Sequence, residues 1–470
     1  MGEAQGVTSG PTSSALQRAA LAMVVANSFG NALMLSSVTV ALPSIARAFA
    51  LDAVLLAWVP LIFLMTSAAS VLAFGRLADM YGRKRVFVIG ASGFAVSSIL
   101  LACAPNAAAL IGLRVFQGTS AAMLYATQTA IITSVYPPQQ RGRVLGLLAA
   151  SVYFGLTCGP LVGGWLVEQF GWRAAFVAHL PFTLLVLLVA LPRVKGDWAA
   201  ETRGRFDRQG AALYATAIVC LMLGVAELPA SAGLLGLGAG LVLMLVFLRH
   251  QLGRPDPLLN VSLLLGNRAF GLSSLAALLM YTTTFSILVL ISLYLQYLKG
   301  MAPTEAGLVM LAQPLVVAAV SPLAGRLSDR VEPRLLASAG IAITALGLLL
   351  LSQLTATSPV AQIVGCLLLT GFGFGLFGSP NVSAIMGAVG RGELGQAGGT
   401  VATMRILGQL CSMGIVAMAF SLTLGKVEIS PANYPALGHA LALSFGVAAA
   451  LCVPALVCSL ARGRLRAGAG

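Results

Sequence analysis

Runs of about 20 apolar residues recur along the whole chain, and a run of that length is what an α-helix needs to cross the hydrocarbon core of a bilayer. Charged or Pro/Gly-rich punctuation separates them. Breaking the chain there gives fourteen candidate spans, at 17–43, 53–75, 85–104, 107–135, 143–167, 173–192, 210–227, 232–249, 269–297, 304–328, 334–355, 359–387, 396–422 and 437–461. The pattern predicts an all-α polytopic membrane protein of about fourteen transmembrane helices. An even number returns the chain to the side on which it began.

Composition agrees: 58% of the residues are hydrophobic and 9% charged, with mean hydropathy +0.94, where a soluble domain carries about 25% charge. The net charge of +14 raises the question of nucleic acid, and position answers it. Arg18, Arg76, Arg83, Lys84, Arg85, Arg141, Arg143, Arg193, Arg205, Arg208, Arg249, Arg254, Arg326, Arg330 and Arg334 fall in connections on one side, whereas Arg47, Arg173, Lys299 and Lys426 fall opposite. That is the positive-inside asymmetry. It predicts a multi-pass protein of a bacterial cytoplasmic (inner) membrane with both termini cytoplasmic, and makes a nucleic-acid partner unnecessary. The seven cysteines all lie in apolar stretches without CxxC spacing and read as small core residues. No HExxH, GxSxG, P-loop or paired-carboxylate arrangement points to an enzyme, and no cofactor or metal is expected.

One module occurs twice. Gly75-Arg76-Leu77-Ala78-Asp79 follows the second span and Gly325-Arg326-Leu327-Ser328-Asp329 the tenth, each leading into basic residues. Duplicated six-helix halves with a site between them near the midplane are a common plan for secondary transporters. The expected divisions are an N-terminal tail (1–16), a first six-helix bundle (17–192), a linker with two extra spans (193–268), a second bundle (269–461) and a tail (462–470).

The loop from Gly75 to Arg85, Arg114-Val115-Phe116-Gln117-Gly118, and Gly155-x-x-x-Gly159-Pro160-x-x-Gly163-Gly164 occur in order with Gly171-Trp172-Arg173, Phe206-Asp207-Arg208 and Gly373-Phe374-Gly375. This set resembles the major facilitator superfamily, and within it the fourteen-span drug:proton antiporter family. The resemblance implies a major facilitator fold of two six-helix bundles plus two inserted helices, and an exporter working by alternating access. It implies gating roles for Gly75, Asp79, Gly82 and Arg83, for Asp329 in the second copy, and for Gly155, Gly159, Pro160, Gly163 and Gly164 in the exporter motif. Asp79, at a span end, can accept hydrogen bonds from the first turn of a neighbouring helix. By that resemblance its partner is the start of the thirteenth span near Gln396. In the fifth span, Pro160 and the glycines suggest a helix that bends against the other half.

Charge inside the spans narrows the chemistry. By these limits no acidic residue sits at mid-membrane. The first span of the antiporters reads like LDxTxVNVALP, and here Met34 stands where that aspartate would be, so the usual proton-carrying carboxylate is missing. What remains inside is positive. A charge at the centre of a span costs roughly 2.5–3.5 kcal/mol on insertion scales, which marks Arg114 and Arg405. Gln117, Tyr125 and Gln128 accompany Arg114, and Gln409 accompanies Arg405. With Asn27, Asn31, Met34, Tyr281, Phe285 and Asn381 they are the expected lining of a hydrated cavity. His179 is a candidate proton carrier. The expected partner is a small molecule, a neutral or anionic amphiphile, with protons as a candidate coupling ion, the lipid bilayer as surroundings and a monomer as the assembly. The residues leave open a facilitator or an amphiphile or lipid exporter without a central carboxylate, and a non-transporting sensor with the same fold.

Overall fold

In hydrocarbon a spanning chain can satisfy its backbone amides only within helices or closed barrels, and here each apolar run is helical. The computed structural model describes residues 14–194, 196–198, 205–328, 330–390 and 393–463, with the backbone alone at 138, 139, 142, 143, 394 and 395. Among these, fourteen helices are long and apolar enough to span a membrane. They are α1 Ser14–Phe49, α2 Ala53–Tyr81, α3 Arg83–Ala102, α4 Ala107–Val135, α5 Val144–Phe170, α6 Arg173–Arg193 and α7 Arg208–Ala226. The rest are α8 Ser231–Gln251, α9 Arg268–Leu298, α10 Pro303–Ser328, α11 Pro333–Ser352, α12 Val360–Gly387, α13 Gln396–Thr423 and α14 Pro431–Ala461. The sequence reading of the spans is thus borne out to within a few residues at most ends.

Starts follow capping chemistry, in which a short polar side chain accepts from the N–H of the first turn. Asp52 caps α2 through Leu55 N at 2.8 Å, Asn106 caps α4 through Ala109 N at 2.8 Å, and Asn267 caps α9 through Phe270 N at 3.0 Å. Proline divides the readings. Pro43, taken as the end of the first span, lies inside α1, which runs on to Phe49. Pro181 instead accompanies a break: α6 is helical over Arg173–Val177 and again over Leu180–Arg193, with a turn at Ala178 and His179. The last turn of α9, Tyr294–Leu298, widens to a π-helix.

We call the end that carries the 76–85 and 330–334 loops the basic end and the other the far end. At the far end the two sets of six helices are tied together. Ser292 Oγ donates to Thr39 O and Gln296 Nε2 to Val40 O, both at 2.9 Å. Ala53 N donates to Val427 O at 2.9 Å, and Asp52 pairs with Glu428 in a single antiparallel bridge.

The inserted pair, α7 and α8, packs antiparallel through Gly224, Gly233, Gly236 and Gly240, where an added Cβ would crowd the opposite helix. α8 is the least buried of the fourteen, presenting Leu234, Leu235, Leu241, Val242 and Leu245 outward. The pair is clasped at the basic end by Asp207, which is buried. Its carboxylate accepts from Gly210 N at 3.0 Å, His250 Nε2 at 3.1 Å and Gln251 Nε2 at 2.9 Å. Burial pushes this carboxyl up, but those hydrogen bonds outweigh it and hold it below the usual carboxylate range. A depressed folded-state value contributes stability above the unfolded pKa and loses it as pH falls through the folded one. Asp207→Ala is therefore expected to cost about 2–3 kcal/mol at neutral pH. In thermal melting the gap from wild type should shrink only below about pH 3.9.

Candidate functional site

Between the two sets of helices, α4, α5, α9, α12 and α13 bring together Tyr125, Tyr153, Tyr281, Phe374 and Arg405. All five are partly accessible rather than sealed. The Arg405 guanidinium lies over the Tyr125 ring, 5.9 Å from its centroid, and so joins α13 to α4 across the midline. Tyr281 meets Phe374 edge-on at 5.5 Å. The phenol of Tyr153 is in polar contact with that of Tyr281, and both lie within the field of Arg405. Gln409, one turn along α13 from Arg405, and Phe285, one turn along from Tyr281, are also partly accessible. Among the described residues no carboxylate pairs with Arg405 or Arg114. The result is a cationic and aromatic cluster between the two halves, with no counter-ion of its own among the described residues.

Several residues expected in that lining sit elsewhere. Arg114 is fully buried inside the first six helices. Its Nε donates to Val59 O at 3.0 Å, its Nη1 to Gln117 Oε1 at 2.7 Å, and its plane stacks near Phe63 and Phe176, 4.7 and 5.6 Å from their centroids. Gln117 passes the tie on to Ser98 Oγ at 2.7 Å. The physical reason is rotational: the α4 face that carries Arg114 turns toward α2 and α3, so the guanidinium finds a carbonyl and two rings rather than water. Gln128 is buried and accepts from Ser28 Oγ at 2.9 Å. Asn27, Asn31 and Met34 form one buried stripe of α1, and the two amide nitrogens have no partner among the described residues.

Asn381 belongs to a different tie. Its Oδ1 accepts from Arg462 Nη1 at 2.6 Å and its Nδ2 donates to Ser273 O at 3.0 Å. Arg462 had been placed in the C-terminal tail because the apolar run stops at 461, yet it is 2% exposed. Burial pushes its guanidinium down to about 10, with Glu332 opposing the shift. His179, at the break in α6, is fully buried, packs edge-on against Phe94 at 4.7 Å, and has the Phe176 backbone as its polar neighbour.

The exporter motif divides its glycines between two neighbours. A Cβ on Gly155, Gly159 or Gly163 would strike α1 at Phe29, Ser36 or Ser37, so these three pack within their own half. Ser37 Oγ donates to Gly159 O at 3.1 Å across that contact. Gly164 and the Pro160–Leu161 backbone reach the other half, where a Cβ on Gly164 would overlap Pro303 O and one on Gly307 would overlap Pro160 O. The expectation that the whole stretch faces the opposite half is corrected accordingly.

At the basic end Asp79 is paired with Arg83, Nη2 to Oδ1 at 2.8 Å, and Arg83 also reaches Ser134 Oγ and Ala130 O on α4. Gln396 accepts from Asn260 Nδ2 at 3.0 Å. In this arrangement neither side chain of the expected latch holds the other. Gly75 lies beside Ala126 of α4, and Gly82 adopts φ +111°, where a Cβ would also strike Asp197. Asp329 lies outside the described residues.

The family model described as Major Facilitator Superfamily matches residues 24–410 and, overlapping it, 272–466. The chain belongs to that superfamily. Among its relatives, the riboflavin transporter RibZ of Clostridioides difficile is 28% identical over 422 residues, covering 90% of this chain and 92% of its own. The multidrug resistance protein Stp of Mycobacterium tuberculosis is 31% identical over 385 residues, covering 81% and 71%. A solved bacterial homologue of the human lysosomal transporter Spinster, inward-facing and unoccupied, shares the fold with a TM-score of 0.67 at 16% identity, covering 96% of this chain and 97% of that one. The multidrug relatives agree with the drug:proton antiporter family that the motifs resemble, and the protein is a multi-pass secondary transporter of the superfamily.

Tyr153 and Phe374 are the members of the Arg405 cluster that sequence reading did not place in the site. Both sit beside motif glycines, Gly155 and the Gly373/Gly375 pair, and that proximity was the available pointer. Nothing in the sequence marked Ser292 or Gln296, whose far-end bonds are made to backbone carbonyls.

Proposed function

We propose that this transporter exports neutral or anionic aromatic amphiphiles by alternating access, with the basic end in the cytoplasm. The observation that carries the reading is Arg405, a partly accessible guanidinium ringed by Tyr125, Tyr153 and Tyr281 with no carboxylate beside it. A planar guanidinium and phenol rings favour flat molecules with electron-rich or anionic edges and disfavour lipophilic cations. A relative named as a riboflavin transporter fits the same class of flat polar substrate. The far-end ties, with Asp79 and Gln396 each bonded to another partner, support a state shut at the far end, with the Asp79 contact to the start of α13 forming when the basic end shuts.

A second reading concerns energy coupling, and Met34 favours it: a cycle that uses no central carboxylate and follows the substrate gradient as a facilitator does. Flux of organic-anion and cationic dyes in proteoliposomes, with and without an imposed pH gradient, tests both. Anion flux that an inward proton gradient accelerates supports the antiporter, gradient-independent flux supports the facilitator, and transport of cations alone overturns the cluster assignment. For the latch, Asp79→Asn is expected to slow exchange between the two end states, read by distance probes at the basic end. Unchanged interconversion overturns that role.

A further inference from the structure

The inserted helices α7 and α8 have no assigned part in the cycle, yet the chain that leaves them touches both halves at the gate. From Asp207 the clasp continues outward: Gln251 Nε2 donates to Asp207 Oδ2 at 2.9 Å, and Leu258 N donates to Gln251 Oε1 at 2.7 Å. Residues 252–260 are thereby fixed to the end of α8. Pro255 and Pro257 within them restrict the backbone to extended forms.

Two side chains of this segment reach in opposite directions. Asp256 pairs with Arg76 Nη2 at 3.0 Å, on the last turns of α2 and one turn before Asp79. Asn260 donates through Nδ2 to Gln396 Oε1 at 3.0 Å, at the first residue of α13, while its own Oδ1 caps the short helix Val261–Gly266 through Leu263 N. That short helix is seated on the second half, with Leu263 and Leu264 packed against Phe270, Ile385 and Met404. Leu259 and Val261 are buried in the main core. The segment therefore spans from the end of α2 to the start of α13, the same two helix ends that an Asp79 contact would join.

We propose that residues 254–260 form a strap that holds these two helix ends in the arrangement in which Asp79 and Gln396 are bonded to other partners, so that Asp256 and Asn260 are positioning residues setting how often the basic end shuts. The strap occupies Gln396 and braces Arg76 while Asp79 stays on Arg83. Shutting that end requires Asn260 to release Gln396 or to move with it. This rests on the alternating-access reading above. It gives the inserted pair a function, as the anchor from which the strap is stretched.

Double electron–electron resonance on the full chain in liposomes tests it. Labels go at the exposed Gln140 and Arg330, in the α4–α5 and α10–α11 connections, through a non-natural amino acid so that the native cysteines remain. Wild type should show a longer and a shorter distance. Asp256→Ala and Asn260→Ala should each raise the ratio of short to long by roughly threefold to fivefold, the size of effect that one partly exposed polar contact carries. Combining Arg76→Asp with Asp256→Arg should return the ratio toward wild type, which general loosening of the fold would not do. An unchanged ratio, or a shift toward the long distance, overturns the strap while leaving alternating access intact. A single wild-type distance insensitive to substrate and pH overturns both.

Discussion

Arg405→Ala is expected to remove transport of anionic aromatic substrates while the yield and melting temperature of the protein stay at wild-type values, and Arg114→Ala is expected to do the reverse. The two arginines look alike in sequence, each a lone cation in an apolar run, but their surroundings differ. Arg405 is partly accessible, and its described contact is the Tyr125 face. Its removal leaves no protein group unsatisfied. A desolvated cation over a ring and an anion contributes about 2 kcal/mol or more. At about 1.4 kcal/mol per tenfold, apparent affinity for the anion should weaken by roughly thirtyfold or more. Arg405→Lys keeps the charge and loses the planar stacking, so it should fall between.

Arg114 has no such access. Truncating it strands the Gln117 carbonyl oxygen and Val59 O in the interior and opens a void against Phe63 and Phe176. Large buried side chains cut to alanine cost about 3–5 kcal/mol, a large part of the about 5–15 kcal/mol that keeps a protein folded. The checks are thermal melting in detergent and flux normalised to folded protein. Normal melting with lost flux for Arg114→Ala would return that residue to the transport machinery.

The second large effect is expected at the far end. Gly164→Leu should trap the protein with that end apart, because any Cβ at 164 overlaps the Pro303 carbonyl of the other half. Overpacking a close contact costs about 1–3 kcal/mol, and at about 1.4 kcal/mol per tenfold the shut population falls by roughly fivefold to 150-fold. Gly159→Leu supplies the contrast. Its obstruction is Ser36 of α1, inside the same half, so the loss should appear as reduced folding rather than as a trapped state. Accessibility of an engineered cysteine at Ala302, in the far-end cavity of about 370 Å³ lined also by Arg47, Gln296 and Tyr297, distinguishes the two outcomes. Equal labelling of the Gly164→Leu variant and wild type would dismiss the gating role of this contact.

The fourteen spans, the repeated GRLxD loop and the superfamily were legible in the sequence because each rests on local chemistry. Hydrocarbon thickness fixes the length of an apolar run, and a motif is a short string. Which way each helix faces was not legible. These helices are apolar on nearly every side, so periodicity gives little information about rotation. Hence Arg114 and Arg405 read alike, Gln128 and Asn381 were grouped with the Arg405 cluster, and Gly155, Gly159 and Gly163 of the exporter motif were turned toward the wrong neighbour.

Proline showed the same limit. Pro43 and Pro181 are equivalent in sequence, yet α1 continues through one and α6 breaks near the other. Arg462 was assigned to a polar tail by its charge, whereas Asn381 and Ser273 draw it into the core. Composition and motif determined that this chain crosses a membrane fourteen times and belongs among transporters. Tertiary packing alone decided which polar groups face water and which satisfy one another, since that depends on helix rotation and on partners carried by other helices, and neither is written in any local stretch of residues.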